Sequence, residues 1–165
     1  MSRILTIILL LTIAFTACKT KELIKPRQIY LVRHAEKMKD VDNPPLSPEG
    51  VARAQSLSEV LRPEQIDGVH STAYKRTEET AQPTADRLGL TIQSYDPRQL
   101  EQFANTIRTS LDGNLLVVGH SNTTPVLVNH LLGKDRYPQL DESQYGDLFV
   151  VSLYPDSTTV ELRRF

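Results

Sequence analysis

From Gln28 onward the chain switches repeatedly between two hydrophobic rhythms. "QIYLVR" (28–33) is a short, nearly continuous apolar run, the mark of a strand buried on both faces. "SPEGVARAQSLSEVLR" (47–62) has Val51, Ala54, Leu57, Val60 and Leu61 at steps of three and four, as one helix face requires, with Ser47 placed to cap it and Pro48 at its first position. The alternation continues with a strand over 66–71, a helix over 73–89 kinked or interrupted at Pro83, and a strand over 91–95. A helix over 98–113 closed by Gly113, a strand over 114–120 and a helix over 124–133 stopped by Gly133 come next. Two strands joined by a turn around Pro155–Ser157 finish the chain. This order predicts an α/β three-layer sandwich: a mostly parallel central sheet, helices on both faces, and a C-terminal antiparallel hairpin.

The first eighteen residues, "MSRILTIILLLTIAFTAC", follow neither rhythm. A basic Arg3 precedes an apolar run from Ile4 to Ala14, broken only by threonine, and a small residue stands before Cys18. That is the layout of an export signal, too short for a membrane span of about 20 apolar residues. "FTAC" resembles the lipobox of bacterial lipoproteins, in which the cysteine is lipidated and becomes the first mature residue. Cys18 is the only cysteine, so no disulfide within the chain is available to it. The expected organisation is a signal over 1–17, a lipidated Cys18 with a polar tether over 18–27, and one domain over 28–165. The protein is then exported and held at the bacterial cell envelope through Cys18.

Composition narrows what the domain can bind. With 165 residues, 39% hydrophobic, and 19 basic against 20 acidic side chains, the chain can bury a core but has a formal net charge of only −1. Such a balance gives no basic field for nucleic acid. Any anion site must be local.

Three predicted strand ends supply one. In open α/β sheets, ligands bind at the carboxyl ends of the strands. Arg33 and His34 follow the first strand, Ser71 and Arg76 the second, and Gly119, His120 and Ser121 the fourth. Parallel neighbours bring these together, and two arginines and two histidines in one crevice are costly unless an anion arrives. The guanidinium fork fits phosphate oxygens, and the helix after His120 aims backbone N–H groups at the same place. Asn43 is a further candidate hydrogen-bonding residue for the phosphate.

"RHAEK" (33–37), "STAYKRTEETA" (71–81) and "VVGHSNT" (117–123) together resemble the three signatures of the histidine phosphatase superfamily, in its small branch with little or no cap. The resemblance covers nearly all of the chain from about residue 28 and implies a phosphoglycerate mutase-like fold. It implies that His34 attacks phosphorus and forms a phosphohistidine, that Arg33, Arg76 and His120 hold the phosphoryl group, and that no metal or other cofactor is needed. The implied substrate is a small phosphomonoester or a phosphoprotein, and hydrolysis is favoured over mutase chemistry because only ten residues separate Lys37 from Pro48. A carboxylic acid should protonate the leaving group: Asp96, just past the third strand, is the first candidate, with Glu36 and Glu101 after it.

Two other chemistries compete. "VVGHSNT" also resembles the G-x-S-x-G turn of serine hydrolases, with Ser121 as nucleophile, although Thr123 replaces the final glycine. A phosphate-binding module without turnover would use the same crevice. His70 and His130 lie among apolar neighbours and are read as structural.

Overall fold

The computed structural model describes residues 25–39 and 42–165. The expected signal over 1–17, the lipidation site Cys18 and most of the tether lie outside the described residues.

Six strands and four helices follow the expected order: β1 (Arg27–Arg33), α1 (Pro48–Val60), β2 (Gly68–Ser71), α2 (Lys75–Leu88), β3 (Ile92–Ser94), α3 (Leu100–Thr109), β4 (Leu115–Gly119), α4 (Thr124–Leu132), β5 (Asp147–Leu153) and β6 (Thr158–Arg164). They form one sheet in the order β3-β2-β4-β1-β5-β6. β3, β2, β4 and β1 run parallel, while β5 and β6 are antiparallel additions beyond β1. The apolar strands β1 and β4 pair centrally, where both faces need cover.

Each face has its own core. Tyr30, Val32, Leu116 and Val118 cluster with Leu57 of α1, Leu61 just after it, and Ala81 and Ala85 of α2. Their alternate neighbours Ile29, Leu31, Leu115 and Val117 meet Ile107 of α3 and Leu127, Val128 and Leu131 of α4. The period-two alternation of a strand thus divides one apolar run between two layers. With the pairing Arg33↔Gly119, β1 and β4 end level with one another, so the residues that follow them emerge side by side.

Some boundaries differ from the expectation. α2 runs through Pro83 unbroken, because Thr80, Ala81, Thr84 and Ala85 on either side of it are buried, and Ser58 Oγ of α1 donates to the Pro83 carbonyl. Packing here outweighs the N–H bond that proline cannot make. α3 stops at Thr109 rather than Gly113. Gly113 instead occupies the turn into β4 at φ +73°, a left-handed conformation that glycine adopts without strain.

Candidate active site

Beyond the carboxyl ends of β1, β2 and β4 lies a pocket of about 370 Å³, lined by His34, Lys37, Tyr74, Arg76, Pro97, Arg98, His120, Ser121, Asn122, Thr123 and Glu142. The strand-end argument therefore brings His34, Arg76 and His120 to one place. Their rings and charges are close: the His34 and His120 ring centroids stand 5.5 Å apart.

Hydrogen bonding assigns a tautomer to each imidazole. His34 continues the sheet register, its backbone N–H donating to the Gly119 carbonyl at 2.9 Å. Its Nδ1–H donates to the Ala35 carbonyl at 2.7 Å, which leaves Nε2 with a free lone pair. His120 is held from both sides: Arg76 Nη2 reaches Nδ1 at 3.4 Å, and Nε2–H donates to Thr72 Oγ1 at 2.9 Å. Thr72 Oγ1 lies 3.0 Å from Thr77 Oγ1, which donates to the carbonyls of Thr72 and Tyr74. His120 is thus fixed at one end of a buried hydroxyl chain.

Burial and nearby cations keep both rings neutral. Desolvation lowers His34 to about 3, reinforced by Arg76, His120 and Arg33, while its bond to Ala35 opposes the shift. His120 is lowered to about 4 by burial and the same two arginines. The Nε atoms of Arg33 and Arg76 are buried without a hydrogen-bond partner. Two guanidinium N–H groups left unpaired in a desolvated place are expensive in isolation and well spent on an anion. Arg76 also stacks on Tyr74, its guanidinium carbon 4.6 Å from the ring centroid, which fixes the direction of its fork.

Four expected residues stand elsewhere or serve otherwise. Arg33 is only 5% exposed and does not line the pocket. Its Nη1 donates to the carbonyls of Asp141, Glu142 and Gln144, and its Nη2 to Glu142 Oε2 and Tyr145 Oη, so it clasps the 141–145 loop and keeps only Nε for an anion. Ser71 is buried and turns its hydroxyl to the Thr72 carbonyl, and Thr72, the next residue along, presents its hydroxyl to His120 instead. Asn43, at φ 43°, accepts from the Lys75 N–H at 3.2 Å and so ties the 42–47 loop to the start of α2 rather than facing the pocket. Asp96 is a poor acid: Arg98 holds it with three bonds of 2.9 to 3.0 Å and lowers its carboxyl to about 2, and it lines neighbouring hollows, not this pocket.

Glu36, second in line as a proton donor, is engaged by Arg53, and Glu101 belongs to a separate hollow beside α3. The carboxylate that does border the pocket is Glu142, unforeseen because it comes from the loop before β5. Arg33 Nη2 meets its Oε2 at 3.1 Å and Ser121 Oγ donates to its Oε1 at 2.8 Å. Ser121 therefore spends its proton on a carboxylate, not on a histidine, which speaks against the serine-hydrolase arrangement. Gly119 is needed because a Cβ there would come within 2.8 Å of Tyr95 Oη and 2.9 Å of Thr124 Oγ1.

Comparison with known proteins agrees with this geometry. The family model for the histidine phosphatase superfamily (branch 1) matches residues 29–98, which carry His34 and Arg76. No curated protein sequence matches the chain. Among solved structures, the alpha-ribazole phosphatase from Shigella flexneri superposes with a TM-score of 0.69 at 16% identity, over 84% of this chain and 96% of that one. The protein histidine phosphatase SixA complexed with tungstate gives 0.67 at 17% identity, over 83% and 96%. A mycobacterial glucosyl-3-phosphoglycerate phosphatase gives 0.64 at 14% identity, over 86% and 99%. The family model is seated on the first two motifs and the fold of these structures continues through the rest of the chain, so the chain is similar to branch 1 of the histidine phosphatase superfamily.

Proposed function

We propose that the protein is a metal-independent phosphomonoesterase that works through a phosphohistidine on His34. The observation that carries this reading is the state of the His34 ring, whose Nδ1–H is committed to Ala35 and whose neutral Nε2 is free beside Arg76 and His120. A neutral, fixed imidazole is a competent nucleophile at ordinary pH without needing a base. Arg76, the free Nε of Arg33 and the start of α4 stabilise charge on the equatorial oxygens of the phosphoryl group.

In the first step Nε2 forms a bond to phosphorus as the bond to the leaving oxygen breaks, and the electron pair departs with that oxygen. Glu142 supplies its proton. In the second step water attacks phosphorus, the P–Nε2 bond breaks and returns its pair to the ring, and the water proton restores the Glu142 carboxyl. Ester and water have become alcohol and inorganic phosphate.

The same reading places the protein at the cell envelope, exported and anchored through a lipid on Cys18. Its support is the leader sequence. No helix among the described residues is long and apolar enough to cross a membrane.

Hydrolysis of p-nitrophenyl phosphate with and without EDTA, beside His34→Ala and Ser121→Ala, tests the proposal. Turnover that survives EDTA and the serine change and is lost with His34 is the expected result, together with an acid-labile phosphoryl group trapped on His34. Phosphate binding with no turnover over a panel of monoesters and pH values would make the protein a binding module.

A further inference from the structure

The chain enters the domain at the opposite end from the site. β1 starts at Arg27 and runs directly toward the pocket, with His34 following its last residue. Seven residues of strand separate the entry point from the nucleophile, about 20 Å at the usual rise. Cys18 lies seven residues before Lys25, so the tether between them spans at most about 25 Å when fully extended. A tether attached at one pole keeps that pole nearest to the surface in which it is rooted, with the His34 pocket about 20 Å farther along β1.

The pole at the root suits lipid headgroups. There a hollow of about 430 Å³ is lined by Lys25, Arg27, Arg108, Leu153, Tyr154 and Pro155, three cations and no carboxylate. Arg27 is anchored through the carbonyls of Gly113 and Ile107, and Arg108 through that of Leu131, so both guanidinium groups are held at the ends of α3 and α4 with N–H groups to spare. Tyr154 at the rim is 37% exposed, an aromatic ring with a polar tip of the kind found at membrane interfaces.

We propose that the anchored domain rests with this basic pole toward the bilayer and its His34 pocket facing away, so that its substrates are water-borne phosphomonoesters and not the phosphate of lipids in the leaflet that holds Cys18. The proposal rests on the lipid-anchor and phosphatase readings, and its test separates them. Cys18 is the only cysteine, so once it is acylated an introduced cysteine is the single free thiol. The full lipidated chain is reconstituted in vesicles of phosphatidylcholine, phosphatidylglycerol and phosphatidate carrying a headgroup-linked acceptor dye. A donor dye is placed through Lys75→Cys, at the pocket end of α2, or through Asp156→Cys, in the turn beside the basic hollow.

Several-fold stronger quenching at position 156 than at position 75 is expected, along with turnover of p-nitrophenyl phosphate and none of phosphatidate in the same vesicles. Equal or reversed quenching overturns the orientation. Hydrolysis of vesicle phosphatidate at the rate seen in detergent micelles overturns the substrate assignment. A wild-type chain whose Cys18 takes up a thiol dye removes the anchor and the proposal with it. Absence of turnover on every ester, with the quenching order intact, sinks the phosphatase reading and leaves the orientation standing.

Discussion

Two charged clusters stand within three residues of each other after β1, and they are built on opposite rules. In the first, Arg53 of α1 grips Glu36 through Nε at 2.8 Å to both oxygens and through Nη2 at 2.5 Å, and Glu49 approaches the same guanidinium at 3.8 Å. Each charge there has an opposite partner, which lowers the Glu36 carboxyl against the pull of its burial and raises Arg53. In the second, His34, His120 and Arg76 share one pocket, and both imidazoles are neutral because burial and neighbouring guanidinium groups make protonation costly. Satisfied charges hold a structure together, whereas buried donors without partners mark where a ligand belongs.

The sharpest way to break that comparison is to remove the nucleophile. His34→Ala should lower p-nitrophenyl phosphate turnover by ~10³-fold or more, while substrate affinity, which draws on Arg76 and α4, changes less. Steady-state kinetics with direct phosphate binding separates the two effects. Turnover that survived the change would remove His34 from the chemistry. Arg76→Ala should cost roughly 10²–10³-fold, because it deletes a positioned donor and the partner of His120 Nδ1. Arg76→Lys should recover only part of this, since a point charge cannot reproduce the fork.

The next contrast lies between two carboxylates. Glu142→Gln should slow hydrolysis of alkyl phosphates by about 10²-fold, the range expected for loss of a general acid, and should affect p-nitrophenyl phosphate far less because that leaving group departs without a proton. Asp96→Asn should change either rate by less than about two-fold, since Arg98 already holds that carboxyl ionised. Comparable losses on both esters with Glu142→Gln would make Glu142 a positioning residue for Arg33 and Ser121, not the proton donor.

How much of this could be read from the chain follows from how far apart the partners are. His34, Arg76 and His120 each sit at or just beyond a strand end, and alternating strands and helices place such ends together, so their meeting was legible. The choice of Thr72 over Ser71 depends on which way the chain turns as it leaves β2, a one-residue question that hydrophobic pattern does not address. The capture of Arg33 by Asp141, Glu142 and Gln144 joins residues more than a hundred positions apart through a loop with no periodicity. Glu142 was invisible for that same reason. Pro83 shows the converse, a strong local signal overruled by the packing of α2 on α1.

Acid should weaken the fold first through its buried imidazoles and, at lower pH, through carboxylates that ion pairing lowers, Glu36 among them. Folded His34 and His120 titrate near 3 and 4, below the value of about 6.5 in an unfolded chain. Between these limits the unfolded state binds more protons, so stability is fully present above pH 6.5 and declines as pH falls toward 4. The slope should be about 1 kcal/mol per pH unit for each ring. Urea midpoints at pH 7 and pH 5 measure it, and replacing His34 or His120 with Gln should flatten the dependence. Saturating phosphate should restore part of the loss by binding the folded state alone. A midpoint unchanged between the two pH values would mean that the rings are not held neutral.

The smallest effect is expected where every charge is paired. Arg53→Met leaves the Glu36 carboxylate, whose side chain is only 14% exposed, without its bidentate partner. A fully buried pair broken in this way costs about 3–5 kcal/mol, and partial solvent access here reduces that to about 1–2 kcal/mol. Adding Glu36→Gln should return part of the loss, because the orphaned charge is then gone and only a hydrogen bond and some packing are missing. Turnover in both variants should stay within about two-fold of the parent, as neither side chain reaches the reacting atoms. Gly50 sets a limit on this repair. A Cβ there would stand 2.0 Å from the Glu36 carbonyl oxygen, so α1 can dock on the β1 exit only in its present register. The backbone contact, with the Ser47 N–H donating to that same carbonyl at 2.9 Å, keeps the exit of β1 in place when the ion pair is removed. A large fall in turnover with Arg53→Met would show instead that the paired cluster positions His34, and that the two rules are coupled through Ala35, the one residue between His34 and Glu36.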